Sequence, residues 1–72
     1  MERTKIGTRL RELRKKANIT QTELSERLGI TQGSISLWES GETKPDVENL
    51  LKISEIFGCT VDSLLKGSEY SN

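Results

Sequence analysis

The chain has no histidine, a single cysteine (Cys59), a single proline (Pro45), one each of Trp, Tyr and Phe, and no net charge: eleven Lys and Arg balance eleven Asp and Glu in 72 residues. Each shortage excludes something. One cysteine cannot form an internal disulfide, and without histidine there is no Cys/His set of the kind zinc requires, so neither metal nor cofactor is expected. The usual players of acid–base and nucleophilic catalysis are missing too, which argues against an enzyme. No apolar run approaches the ~18 residues of a membrane span, and no charged-then-apolar start resembles a signal peptide. The expectation is a soluble, unexported, cytoplasmic protein with no membrane partner. A chain of this length forms one small domain that buries only about 60% of its unfolded surface and offers no deep substrate cleft. Zero net charge also argues, at first sight, against a nucleic-acid partner, since such domains are commonly basic.

The sum hides a segregation. Residues 1–19 carry Arg3, Lys5, Arg9, Arg11, Arg14, Lys15 and Lys16 against Glu2 and Glu12, a net of +5, so the remainder is −5. Asymmetry of this kind either marks a face directed at a polyanion or is simply a solvated basic helix.

The apolar residues recur at helical spacing, with no period-two alternation. Ile6, Leu10, Leu13 and Ala17 form one stripe of a first helix, ended at Asn18-Ile19. Thr20-Gln21-Thr22-Glu23 reads as a capping box opening a second helix from Gln21, with Leu24 and Leu28 inward and a stop at Gly29. Thr31 caps a third helix running through Ile35 and Trp38 to Gly41. A loop through Lys44-Pro45 leads to Asp46, which caps a fourth helix marked by Val47, Leu50, Leu51, Ser54 and Phe57 and ended by Gly58. Thr60 caps a short fifth helix with Val61, Leu64 and Leu65, closed by Gly67. The expected fold is all-α: a compact five-helix domain over residues 1–66 with a flexible tail over 67–72.

Gln21 to Ser40 has the form of a helix-turn-helix, two short helices joined at Gly29-Ile30-Thr31. Leu24, Leu28, Ile30, Ile35 and Trp38 supply the apolar contacts that fix the angle. Ser25 is small where the helices cross, and its hydroxyl needs a backbone acceptor. An ordinary helical hairpin would show the same apolar spacing. The outer face of the third helix separates the two readings: Gln32, Gly33, Ser34, Ser36 and Leu37 bring no charge, and none occurs from Ile30 to Trp38 in a chain that is 31% charged. Gln can bond adenine bidentately, Ser can meet base edges or phosphates, and an apolar side chain can meet a thymine methyl.

With these residues in view the chain resembles the Cro/phage-repressor, or XRE, type of helix-turn-helix. The likeness runs from Gly7 to Leu65, through Arg11-Glu-Leu-Arg14, Ile19-Thr-Gln21-Thr-Glu-Leu-Ser, Leu28-Gly29-Ile30-Thr31, Ile35-Ser-Leu-Trp38-Glu39-Ser-Gly41, Lys44-Pro45, Leu51-Lys-Ile-Ser-Glu-Ile-Phe-Gly58 and Val61-Asp-Ser-Leu64-Leu65. The resemblance implies a regulator that binds double-stranded DNA, most simply a repressor working as a homodimer on a near-palindromic operator. Gln21 would contact a phosphate and brace the third helix. Gln32 would read a base, with Gly33, Ser34, Ser36 and Leu37 at neighbouring groove-facing positions, and Thr43 and Lys44 would hold the backbone. Arg14 and Glu39 match a partly buried ion pair between the first and third helices, and Arg14 does lie at the edge of its apolar stripe.

The residues themselves suggest the fifth helix and its approach, Phe57, Cys59, Val61, Leu64 and Leu65, as the dimer surface. Trp38 and Cys59 are read as packing residues. With no ligand pocket expected, control would come from concentration or from a regulatory partner protein. One competing reading keeps the fold as a protein-interaction module that no longer binds DNA, which acids at Gln32, Ser34 or Ser36 would favour, and there are none; another is the DNA-binding half of an antitoxin, in which both activities coexist. The charge balance implies weak non-specific DNA binding that salt quickly removes.

Overall fold

Helices start in this chain where a short oxygen-bearing side chain can satisfy free backbone N–H groups, and they stop where a residue turns left-handed. In the computed structural model, which describes residues 5–65, this yields α1 (Lys5–Lys16), α2 (Gln21–Leu28), α3 (Gln32–Ser40), α4 (Val47–Phe57) and α5 (Val61–Leu65). Thr20 and Glu23 form the expected capping box, with Thr20 Oγ1 accepting from the Glu23 amide at 3.0 Å and Glu23 Oε1 from the Thr20 amide at 2.8 Å. Thr31, Asp46 and Thr60 accept in the same way from the amides of Ser34, Asn49 and Ser63.

At the other ends, Gly29 is left-handed at φ 73°, and its neighbour Ile30 donates back to the Ser25 carbonyl at 3.0 Å. This closure turns the chain within three residues and swings Ile30 against the core. Asn18 takes the same role after α1 with φ 64°, at the cost a side-chain-bearing residue carries in that region. Asn is among the few residues that tolerate it.

The core is built from all five helices: Ile6 and Leu10, Leu24 and Leu28, Ile35 and Trp38, Leu50 and Ile53, and Leu64. Each fully buried side chain of this size contributes roughly 1.5–3 kcal/mol, so a small domain depends on every one of them. Ser25 crosses the helix interface with its hydroxyl donated to the Thr22 carbonyl at 2.7 Å, which supplies the acceptor it needs. Pro45, also buried, packs the loop between α3 and α4 inward.

Three expectations are corrected. The inward face of α4 is Leu50, Ile53 and Ser54, while Val47 and Leu51 are 71% and 51% exposed. At 100° per residue Leu51 is turned a full 100° away from Leu50, and Val47 sits in the first turn. Ala17 lies beyond α1 and is exposed. Leu64, assigned to a dimer surface, is 1% exposed and belongs to the core. A helix of five residues has too little periodicity for its inward side to be read from spacing. The closure at Gly67 and the tail over 67–72 lie outside the described residues.

Candidate nucleic-acid interface

The site is the outer face of α3, and α1 and α2 hold it in place from behind. α1 meets α3 at Gly7: a methyl group there would collide with the Trp38 carbonyl oxygen and come within 3.1 Å of the Glu39 carbonyl oxygen. The two helix backbones therefore approach as closely as only glycine permits. This residue's role was not anticipated. The one available signal was a glycine inside an otherwise strong helical pattern.

Beside that crossing, Arg14 clasps Glu39 with two parallel bonds, Nε to Oε2 at 2.7 Å and Nη2 to Oε1 at 3.0 Å. Its remaining nitrogen, Nη1, donates to the Ile19 carbonyl at 2.9 Å, so one guanidinium ties α1, its own C-terminal turn and α3 together. Both side chains are largely removed from water, at 11% and 5% exposure. The bond to Glu39 raises the Arg14 pKa above its ordinary value, against the opposing effect of burial. The expected ion pair is present.

Glu39 has further work. Gln21 donates its side-chain N–H to Glu39 Oε1 at 3.1 Å, and Gln32 donates to Gln21 Oε1 at 2.6 Å. A continuous polar chain thus runs from the largely buried ion pair, through the first residue of α2, to the first residue of α3. Its outer end, Gln32, is exposed but held in one orientation. Gln21 thus links α2 to both ends of α3.

The other groove-facing candidates fall into two groups. Gly33, Ser36 and Leu37 are exposed, with Leu37 at 40%, and the nearest atom to a methyl built on Gly33 is 3.9 Å away. Ser34 is half-buried and belongs partly to the cap, with its hydroxyl 3.0 Å from that of Thr31. Thr43 and Lys44 are exposed in the loop after α3, where the amides of Glu42 and Thr43 both return to the Leu37 carbonyl. Trp38 is 6% exposed and serves packing.

Phe57, Cys59, Val61 and Leu65 are half-buried at the α4–α5 corner, far in sequence from the outer face of α3; Phe57, Cys59 and Leu65 pack against the core from outside. Among the described residues no group of His, Cys, Asp and Glu could hold a metal ion, and no helix is long and apolar enough to cross a membrane.

Comparison with known proteins agrees with this geometry. The helix-turn-helix family matches over residues 10–64. Repressor protein C2 of Salmonella phage P22 is 45% identical over 62 residues, covering 86% of this chain and 29% of that protein. The HTH-type transcriptional activator BcrR of Enterococcus faecalis is 44% identical over 64 residues, 89% of this chain and 31% of that one. The chain therefore spans about a third of the length of these relatives. A crystal structure of the P22 c2 repressor with synthetic operator 9T in the presence of Tl+ superimposes with a TM-score of 0.81 at 41% identity, covering 94% of this chain and all of that one. A helix-turn-helix at α2 and α3, braced by α1 through Arg14 and Glu39 and matched over most of its length by these regulators, makes this chain a member of the XRE-type helix-turn-helix family.

Proposed function

We propose that this chain is a sequence-specific, double-stranded-DNA-binding regulator of transcription that lays α3 in the major groove, acting most simply as a repressor that occludes a promoter. The observation that carries this reading is the exposed, uncharged outer face of α3, on which Gln32 is held in place by Gln21. An oriented glutamine at a helix start is suited to bidentate bonding of adenine, and the N-terminal end of a helix carries partial positive charge that favours a phosphate. Thr43 and Lys44 flank that face and would hold the backbone of the duplex. The P22 repressor solved with its operator supports the reading, and so does the activator among the relatives: the same domain serves either sign of regulation.

Recognition helices of this type work in pairs on half-sites about one helical turn (~34 Å) apart, so the chain acts as a homodimer on a near-palindromic operator. Phe57, Cys59, Val61 and Leu65 are the proposed contact surface, now without Leu64. Its control comes from concentration or from a regulatory partner protein.

Selection from a random duplex library at about 150 mM salt, with sedimentation of the complex, tests this reading. A symmetric motif bound by two chains is the expected result. Failure of the folded protein to enrich any motif would replace the proposal with a protein-interaction role on the same fold.

A further inference from the structure

The seam between α1 and α3 opens outward as a polar groove beside the reading face. One part, about 250 Å³, is lined by Arg11, Arg14, Gln21, Ser36, Glu39 and Ser40; the adjoining part, about 370 Å³, is lined by Thr8 together with Arg11, Glu39 and Ser40. Glu39 is the sole acid along this wall, and it is already matched by Arg14 and Gln21. Arg11 is therefore the uncompensated charge of the groove. Among the described residues it forms no ion pair or hydrogen bond, and its side chain is exposed.

The contrast with Arg9 is informative. Two residues apart on a helix means about 200° of rotation, so the two arginines leave α1 on opposite sides. Arg9 spends its guanidinium on Ser63 of α5 at 3.1 Å, on the side away from α3, whereas Arg11 stands over the groove that borders the reading face. Ser36, across the groove from Arg11, lies one turn beyond Gln32 on α3, about 6 Å along the axis, and its hydroxyl makes no hydrogen bond among the described residues. A planar fork of N–H donors facing hydroxyl donors, with the local acid neutralised, is a donor set for a group that only accepts hydrogen bonds and carries negative charge.

We propose that Arg11, with the hydroxyls of Ser36 and Thr8, forms a notch for one backbone phosphate of DNA, gripping the strand next to the base addressed by Gln32. The inference rests on the DNA-binding reading above and extends it to a residue to which neither the sequence pattern nor the resemblance gave a role of its own. The notch gives α1 a direct part in binding. It adds a grip on the DNA backbone from α1 to the one proposed for the loop of Thr43 and Lys44.

The test measures binding of the full chain, as wild type, Arg11→Gln, Arg11→Lys and Arg9→Gln, to a selected duplex and to an unrelated duplex across a salt series. Loss of one phosphate contact lowers the salt slope by about one and weakens both duplexes by a similar factor, roughly tenfold. That result is expected for Arg11→Gln, with partial recovery in Arg11→Lys, wild-type behaviour in Arg9→Gln, and unchanged thermal melting for both Arg11 variants. If the wild type binds and Arg11→Gln binds equally well with the same slope, the notch is wrong and the DNA-binding reading stands. Equal losses in Arg9→Gln and Arg11→Gln would reduce the effect to general charge and also overturn it. A wild type that binds neither duplex overturns both.

Discussion

Gln32 donates its side-chain amide to Gln21 Oε1 at 2.6 Å, so the residue proposed to read a base is aimed by a residue of the preceding helix. Orientation before binding removes part of the ordering cost that a free side chain would carry into the complex. Replacement of Gln32 by Ala should lower affinity for the cognate duplex by about 1–3 kcal/mol and leave unrelated duplexes nearly unaffected. Gln21→Ala should produce a similar loss through disorientation, and the double variant should lose less than the sum, since both act on one contact. Competition binding with the two duplexes measures each. Additive losses would show that the 2.6 Å bond has no part in recognition.

The Arg14–Glu39 pair is largely withdrawn from water, and each partner alone would be a poorly solvated charge. Glu39→Ala should cost about 3 kcal/mol in urea unfolding, toward the lower end of the range for breaking a buried pair because some solvent still reaches Arg14. Removing both partners should be less destabilising than the two single losses added together. The raised Arg14 pKa keeps the pair's contribution intact below the ordinary arginine value, so it should be lost only as pH rises through a still higher folded value, and stability should not fall on this account across neutral pH.

Two glycines should respond in opposite senses. Gly7→Ala forces a methyl into a backbone carbonyl that cannot swing aside, and a cost of about 1–3 kcal/mol is expected. Gly33→Ala meets nothing closer than 3.9 Å and exchanges the poorest ordinary helix former for the best one, with a gain of up to about 1 kcal/mol. Thermal melting of the two variants decides the matter, and a destabilised Gly33→Ala would indicate a constraint at that position beyond steric space.

The Glu23 carboxylate is held below its ordinary range chiefly by the Thr20 amide, then by the Thr20 hydroxyl. A depressed carboxylate contributes stability above the unfolded value, and that contribution fades as pH falls through the folded one. The Thr20 amide resonance should therefore titrate at a pH below the ordinary glutamate value of 4.5, and this titration should vanish in Glu23→Gln. A Thr20 amide unchanged down to pH 2 would mean that the cap is open in solution.

Lys44→Ala should weaken all duplexes alike and flatten the salt dependence by about one unit, the mark of a backbone contact. Loss confined to the selected duplex would instead give Lys44 a reading role.

The helix ends were legible because capping is local. Thr20 with Glu23, Thr31 and Asp46 meet amides only three residues away, and Gly29, Gly41 and Gly58 close their own helices. The inward sides of α2 and α3 were equally plain, since Leu24 with Leu28 and Ile35 with Trp38 are apolar pairs about one turn apart on helices whose other positions are mostly polar. What stayed hidden depends on distant partners. Gly7 answers to the Trp38 carbonyl, and the difference between Arg9 and Arg11 depends on Ser63 and on the groove beside α3. Leu64 was misplaced because one turn of helix has no period, and Leu51 because an apolar residue beside Leu50 looks alike on either side of a stripe. The pairing of Arg14 with Glu39 entered through family likeness; spacing alone could place Arg14 at an edge without naming its partner.

Gly33, Ser36 and Leu37 are exposed and outside the core, while the residues that fix α3 in space, Ile35, Trp38 and Glu39, face the other way. Preference and foldability are thus written on different sides of one helix. On the proposed reading, a lineage carrying this domain can drift to a new target by single changes on the outer side without crossing an unstable intermediate, whereas a change on the inner side removes the protein before any target matters.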